Sequence, residues 1–124
     1  MIVDNGLNQI RDWMCGEGAT YPLYIGVGTG TTTETSSDTA LESEEYPNGS
    51  SRSSTTITST DYSINFRMDI EDDELNGKTL AEKGLFTAST GGIMYSRQTY
   101  PDIEKDSSIV VPTTIKINIS SFIP

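Results

Sequence analysis

The spacing of apolar residues divides the chain into one helical segment and a series of extended ones. Val3, Leu7, Ile10 and Met14 recur at i, i+4, i+7 and i+11, a single stripe on a helix whose Asn8, Gln9, Arg11 and Asp12 turn away. Asp4 or Asn5 is placed to cap its start, and Gly16 with Gly18 ends it. Tyr21 to Val27 is then a short run of β-formers. It leaves the core through Gly26, Gly28 and Gly30 at every second position, a bend that glycine permits. A polar stretch from Thr29 to Ser37 follows and is expected on the surface. Asp38 to Glu45 reads as a short helix or turn about Leu41.

Beyond the turn cluster Tyr46-Pro47-Asn48-Gly49-Ser50 the period becomes two. Arg52 to Thr60 alternates hydroxyls around Ile57 and reads as a modest strand. Tyr62, Ile64, Phe66, Met68 and Ile70 alternate strictly with polar residues, the pattern of a half-buried antiparallel strand. A charged turn, Glu71 to Gly77, ends in a second Asn-Gly, a pair that suits tight hairpins. Thr79 to Phe86 and Ile93 to Tyr100 read as hairpin partners about Thr90-Gly91-Gly92. Ile115, Ile117 and Ile119 close the series, and Pro112 demotes the run before them to an edge or a bend. The predicted fold is mainly β: an antiparallel β-sandwich of about six strands with one N-terminal helix, forming one domain over residues 1–124.

Composition removes most chemistry. The 124 residues include no histidine and one cysteine, which excludes Ser-His-Asp and Cys-His catalysis, histidine metal sites and intrachain disulfides. Cys15, beside Trp13 and Met14, reads as a small buried hydrophobe. Eight basic against 18 acidic side chains give a net charge of -10, which repels nucleic-acid backbones and anionic lipid. No apolar run is long enough to span a bilayer, and no signal peptide is visible. Seventeen threonines and 15 serines favour strands with long polar connections. Acid excess with only four lysines suits a high-salt environment, and an ordinary acidic virion or cytosolic surface accounts for it equally.

Three motifs invite chemistry. Gly26 to Thr31 lacks the third glycine of a dinucleotide fingerprint and leads into threonines instead of a helix. Asp72, Glu74, Asn76 and Gly77 occupy positions 1, 3, 5 and 6 of an EF-hand-like loop, but Lys83 stands at position 12 and the flanks are strands. A weak cation site on Asp72, Glu74 and Asn76 and a plain solvated hairpin tip are the two readings, the tip being the simpler. The same carboxylates lack an apolar pocket that would raise a pKa for acid–base work, so neither an enzyme nor a cofactor is expected. Asn48-Gly49-Ser50 and Asn118-Ile119-Ser120 are glycosylation sequons only in a host that uses them.

The order of segments carries a resemblance. "GLNQIRDWM", "YPLYIGVGTGTTTETSSDTALESEEY", Arg52, an alternating strand, "LAEKGLF", a Gly-Gly turn and "YSRQTYPDIEKD" before a last strand resemble the N-terminal collar domain of tailed-phage tail fibres and related small stand-alone virion proteins. The likeness runs from about Asn5 to Ile119 and rests on Gly26, Gly28, Leu41, Glu44, Arg52, Glu82, Gly84, Leu85 and Phe86. It departs at Lys83, where an apolar residue is more usual, and at an insertion between Glu45 and Arg52.

The resemblance implies a structural protein of the virion, present in host cytoplasm during assembly. It would be a tail, baseplate or fibre-attachment subunit, with no fibre shaft following Pro124; capsid decoration, turret or vertex protein is the alternative. Leu85 and Phe86 would anchor the core, and Glu82 with Arg52 would form an ion pair. Partners would be other virion proteins and copies of itself, not nucleic acid or membrane. Tyr21, Tyr24, Tyr46, Tyr62, Tyr95 and Tyr100 are the candidate interface residues, and the Thr29–Ser37 arm is a candidate reach onto a neighbour. From another class, a glycan-binding module would use tyrosines and loop carboxylates.

Overall fold

The computed structural model describes residues 1–119; Ser120 of the second sequon lies outside them. Helix α1 (Asp4–Met14) precedes eight strands: β1 (Tyr24–Gly28), β2 (Glu44–Glu45), β3 (Ser53–Ser54), β4 (Thr56–Thr60), β5 (Ser63–Ile70), β6 (Thr79–Phe86), β7 (Met94–Glu104) and β8 (Val111–Asn118). All pairings between these strands are antiparallel. One sheet has the order β2-β1-β6-β7 with β3 also on β1, and the other is β4-β5-β8. This is the expected mainly-β sandwich with an N-terminal helix.

The three-stranded sheet follows from its alternation. Phe66, Met68 and Ile70 of β5 and Val111, Ile115 and Ile117 of β8 point inward and are buried, while Arg67, Asp69, Thr114 and Lys116 are exposed. They meet Ile25, Val27, Leu80, Leu85 and Tyr95 of the first sheet in one core. Pro112 stays within β8 because, among the described residues, β8 has β5 alone as partner, leaving an edge where no ladder donor is needed.

The first sheet has no alternation because both of its faces are covered. Leu85 faces the sandwich core, while Phe86 joins Val3, Leu41 and Met94 in a second cluster on the other side. Residues 29–51 lie over that second face. The segment expected as a helix or turn about Leu41 is extended and ends in β2, pairing Val27 with Glu45 and Gly28 with Glu44. The expected Arg52–Thr60 strand is two strands in different sheets, since β3 pairs β1 and β4 pairs β5. Between them, Thr55 donates its N–H and its hydroxyl to the Leu23 carbonyl, both at 2.9 Å.

Helix α1 begins at an N-cap Val3 with no side-chain cap, not at Asp4 or Asn5. It ends as expected at Gly16: the Glu17 and Gly16 N–H groups bond the Asp12 and Trp13 carbonyls while Gly16 takes φ 73°, a Schellman turn for which glycine carries no Cβ penalty. Only half of the expected stripe docks it. Leu7 and Met14 are exposed, and the helix rests through Val3, Gly6 and half-buried Ile10. A Cβ on Gly6 would strike the Tyr95 carbonyl, so backbone meets backbone there. Cys15 is exposed, contrary to expectation, because the helix turns its last residues to solvent.

Candidate functional site

Two ion-pair clusters lie side by side under the connection that begins at Thr29, built from the resemblance residues with Arg97 and Asp38, which sequence reasoning did not place there. In the first, Arg52 is clamped to Glu44 by both carboxylate oxygens, at 2.6 and 2.9 Å. Its remaining terminal nitrogen donates to the Ala88 and Gly91 carbonyls at 2.9 and 2.8 Å. The guanidinium lies 3.6 Å from the Phe86 ring centroid. Arg52 therefore joins the β2–β3 connection to the β6–β7 turn, a bidentate and stacked arrangement that only arginine supplies.

In the second cluster Glu82, fully buried, accepts the backbone N–H groups of Gly30, Glu42 and Ser43 at 2.8–2.9 Å. Arg97 donates to it at 3.1 Å, to Asp38 at 3.1 Å and to the Thr32 carbonyl at 2.8 Å. Burial pushes the Glu82 carboxyl up, but the Ser43 and Glu42 amides, Arg97 and the Gly30 amide outweigh it and hold the pKa below its ordinary value. Burial likewise opposes the charge on Arg97, and Glu82 and Asp38 overcome it. The expected Glu82–Arg52 pair is thus replaced by two pairs, Glu44–Arg52 and Glu82–Arg97, because Arg52 faces the turn side of β6 and Arg97 faces Glu82 from β7.

The alternate glycines serve this carboxylate chemistry. None of Gly26, Gly28 or Gly30 has positive φ, so they are not a permitted bend. A Cβ on Gly26 would meet Glu44, and one on Gly28 or Gly30 would meet Glu82. The missing side chains are the space the carboxylates fill. The Thr29–Ser37 arm folds back on its own sheet instead of reaching outward: Thr29 bonds Ser43, Thr32 bonds Glu42 through its hydroxyl, Thr99 bonds Glu34, and the Asp4 N–H bonds the Ser36 carbonyl.

The charged turn holds an internal cation. Lys105 is buried, and its ammonium donates to Asn76 Oδ1 at 2.8 Å, the Asp106 carbonyl at 2.9 Å and the Asp72 carbonyl at 3.3 Å. Glu74 instead accepts the Glu71 N–H. Of the residues expected to bind a metal, Asn76 therefore gives its side-chain oxygen and Asp72 its backbone carbonyl to a lysine, and among the described residues no group of three acidic or cysteine side chains is gathered to hold an ion. Lys83, the departure from the resemblance, donates to the Thr114 carbonyl at 2.7 Å across the two sheets. Nearby Tyr100 has its hydroxyl pKa pushed up to about 12, by burial first and by Glu82 second.

The candidate tyrosines divide. Tyr21 and Tyr62 are exposed, Tyr24, Tyr46 and Tyr100 are half-buried, and Tyr95 is core, with its hydroxyl given to the Thr20 carbonyl. An apolar groove of about 380 Å³ opens between α1 and the three-stranded sheet, with Trp13 and Tyr21 at its rim and Ile57, Ile64 and Ile117 along its wall. No described helix is long and apolar enough to cross a membrane. No protein-family model matches the chain, and neither does any curated protein or solved structure.

Proposed function

We propose that the chain is a structural subunit of a tailed virion, an attachment module at the tail or baseplate that acts by assembly and not by chemistry. The observation that carries this is the convergence of the signature residues. Gly26, Glu44, Arg52 and Phe86 form one cluster and Gly28 and Glu82 the next, on a single face of one sheet. Residues that define a fibre-collar pattern are here the ones that fix a long polar connection in one conformation. A docking module needs such rigidity, because a surface ordered in advance loses less entropy on binding.

The buried charged groups are committed inward. Among the described residues no buried side-chain polar atom lacks a hydrogen-bond partner, so Glu82, Arg97, Arg52 and Lys105 serve the fold. Capsid decoration remains the alternative position within the virion. The exposed pair Trp13 and Tyr21 is the foothold of the glycan-binding reading, but a sugar stacked there would meet isoleucines where its hydroxyls need partners. Antibody against the chain, applied to particles purified from a lysate of the source culture, tests the proposal by electron microscopy. Label at the tail end is expected, label at capsid vertices selects the alternative, and unlabelled particles overturn the virion reading.

A further inference from the structure

The sandwich treats its sheet edges unequally. On the outer side of β7, Ile2 bridges Ser96, and the Val3 and Arg97 amides bond the Tyr95 and Met1 carbonyls. The free edge of β8 carries Pro112 and Lys116, residues that discourage strand addition. β4 has neither device. Thr56, Ile57, Thr58, Ser59 and Thr60 are all exposed, all uncharged, and, among the described residues, paired on one side only, to β5. In an antiparallel ladder, alternate residues of such a strand point N–H and C=O away from the sheet.

From this edge we infer a two-fold homodimer seam: β4 of two copies pairs antiparallel and joins two three-stranded sheets into one of six strands. The inference rests on the assembly reading above and names its surface. The absence of charge makes β4 the edge that a second copy can occupy. Two chains of net charge -10 repel one another over most of their surface, and a self-pairing strand must bring like against like. β4 is a strand on which that brings neutral against neutral. The register that pairs all five residues sets Thr58 against its own symmetry mate. Pairing of the same strand about a two-fold axis also closes, so growth stops at two sheets. Ile57, which lines the apolar groove, would be covered from the side on which it is now open.

Native mass spectrometry and light scattering over a dilution series test this. The wild-type chain is expected as a dimer. Thr58→Lys and Thr58→Glu each place like charges face to face and are expected to weaken it by about tenfold or more. An equimolar mixture of the two is expected to recover a heterodimer. Far-UV circular dichroism shows that each variant is folded. A wild-type chain that stays monomeric overturns the inference, as does a dimer indifferent to both substitutions. An oligomer that forms but ignores β4 removes the seam while leaving assembly intact, and particle labelling decides the virion reading separately.

Discussion

Glu82 Oε1 and Arg97 Nε meet at 3.1 Å with 0% and 3% of their side chains exposed, and the carboxylate also caps three amides of a connection 39 to 52 residues away. A buried ion pair alone is weak support for a fold, since an apolar pair of equal volume often serves as well. This one differs because its acid has a second set of partners that no hydrophobic side chain replaces.

Glu82→Ala is therefore expected to cost roughly 3–5 kcal/mol, the range for stripping one partner from a buried pair. The sharper test is the double substitution Glu82→Leu with Arg97→Leu. Removing both charges leaves the Gly30, Glu42 and Ser43 amides without an acceptor, so stability is not recovered. Urea unfolding of the two variants and the wild-type chain checks this; a double variant as stable as wild type would show that the amides do not matter.

The depressed Glu82 pKa sets an acid limit. A carboxyl whose folded-state pKa lies below its ordinary 4.5 contributes stability that is full above that value and is lost as pH falls through the folded pKa. Asp38, lowered from 3.8 chiefly by the Thr35 amide, adds in the same direction. Stability is expected to fall below about pH 4.5, and Glu82→Gln is expected to flatten that slope while lowering the plateau. Denaturation midpoints from pH 7 to 3 measure both. An unchanged slope in Glu82→Gln would assign the acid limit to other groups.

Most strands were legible in the sequence, the β6–β7 hairpin included, while the burial within the first sheet was not, for a definite reason. β5 and β8 were legible because each has one wet face, so Phe66, Met68, Ile115 and Ile117 alternate with polar residues. β1, β6 and β7 are covered on both faces, and a bulge between Met94 and Ser96 buries four successive residues of β7. Arg97 is therefore buried with no apolar pattern to mark it. Lys105 gave no signal, since a lysine in the polar connection after β7 reads as solvated. The Thr29–Ser37 stretch looked like surface because its partners, Glu82 and Arg97, are far away in the chain. Leu41, Glu44, Arg52, Glu82 and Phe86 were singled out by resemblance alone; their pairing needed coordinates.

Arg52→Lys tests the first cluster. Lysine keeps the charge but loses the bidentate grip on Glu44 and the stack on Phe86, and it cannot also reach the Ala88 and Gly91 carbonyls. The expected loss is about 2 kcal/mol, the scale of charge-assisted hydrogen bonds given up. Amide exchange at Arg52, whose N–H bonds the Ser89 carbonyl at 2.9 Å, is expected to quicken locally.

Lys105→Met separates an internal cation from a metal site. The apolar chain fills similar space but leaves Asn76 Oδ1 and the Asp106 and Asp72 carbonyls without their donor, for an expected loss of about 2–3 kcal/mol. Calcium is expected to leave the wild-type melting temperature unchanged, because the ammonium already holds those acceptors. A calcium-dependent rise in the wild-type chain would restore the metal reading of Asp72, Glu74 and Asn76.

Gly6→Ala sets local propensity against packing. Alanine favours a helix over glycine by about 1 kcal/mol at an interior position, so α1 in isolation gains. Its Cβ would be driven into the Tyr95 carbonyl, which is backbone of β7 and already accepts the Val3 N–H at 3.0 Å. Neither element yields cheaply, since β7 is also paired to β6. The net change is expected to be a destabilisation of about 1–3 kcal/mol, the usual scale of overpacking, with faster amide exchange at Val3 and Asp4. A stabilised Gly6→Ala chain would show that α1 stands off the sheet in solution, and the contact that anchors the N-terminal segment to β7 would have to be abandoned.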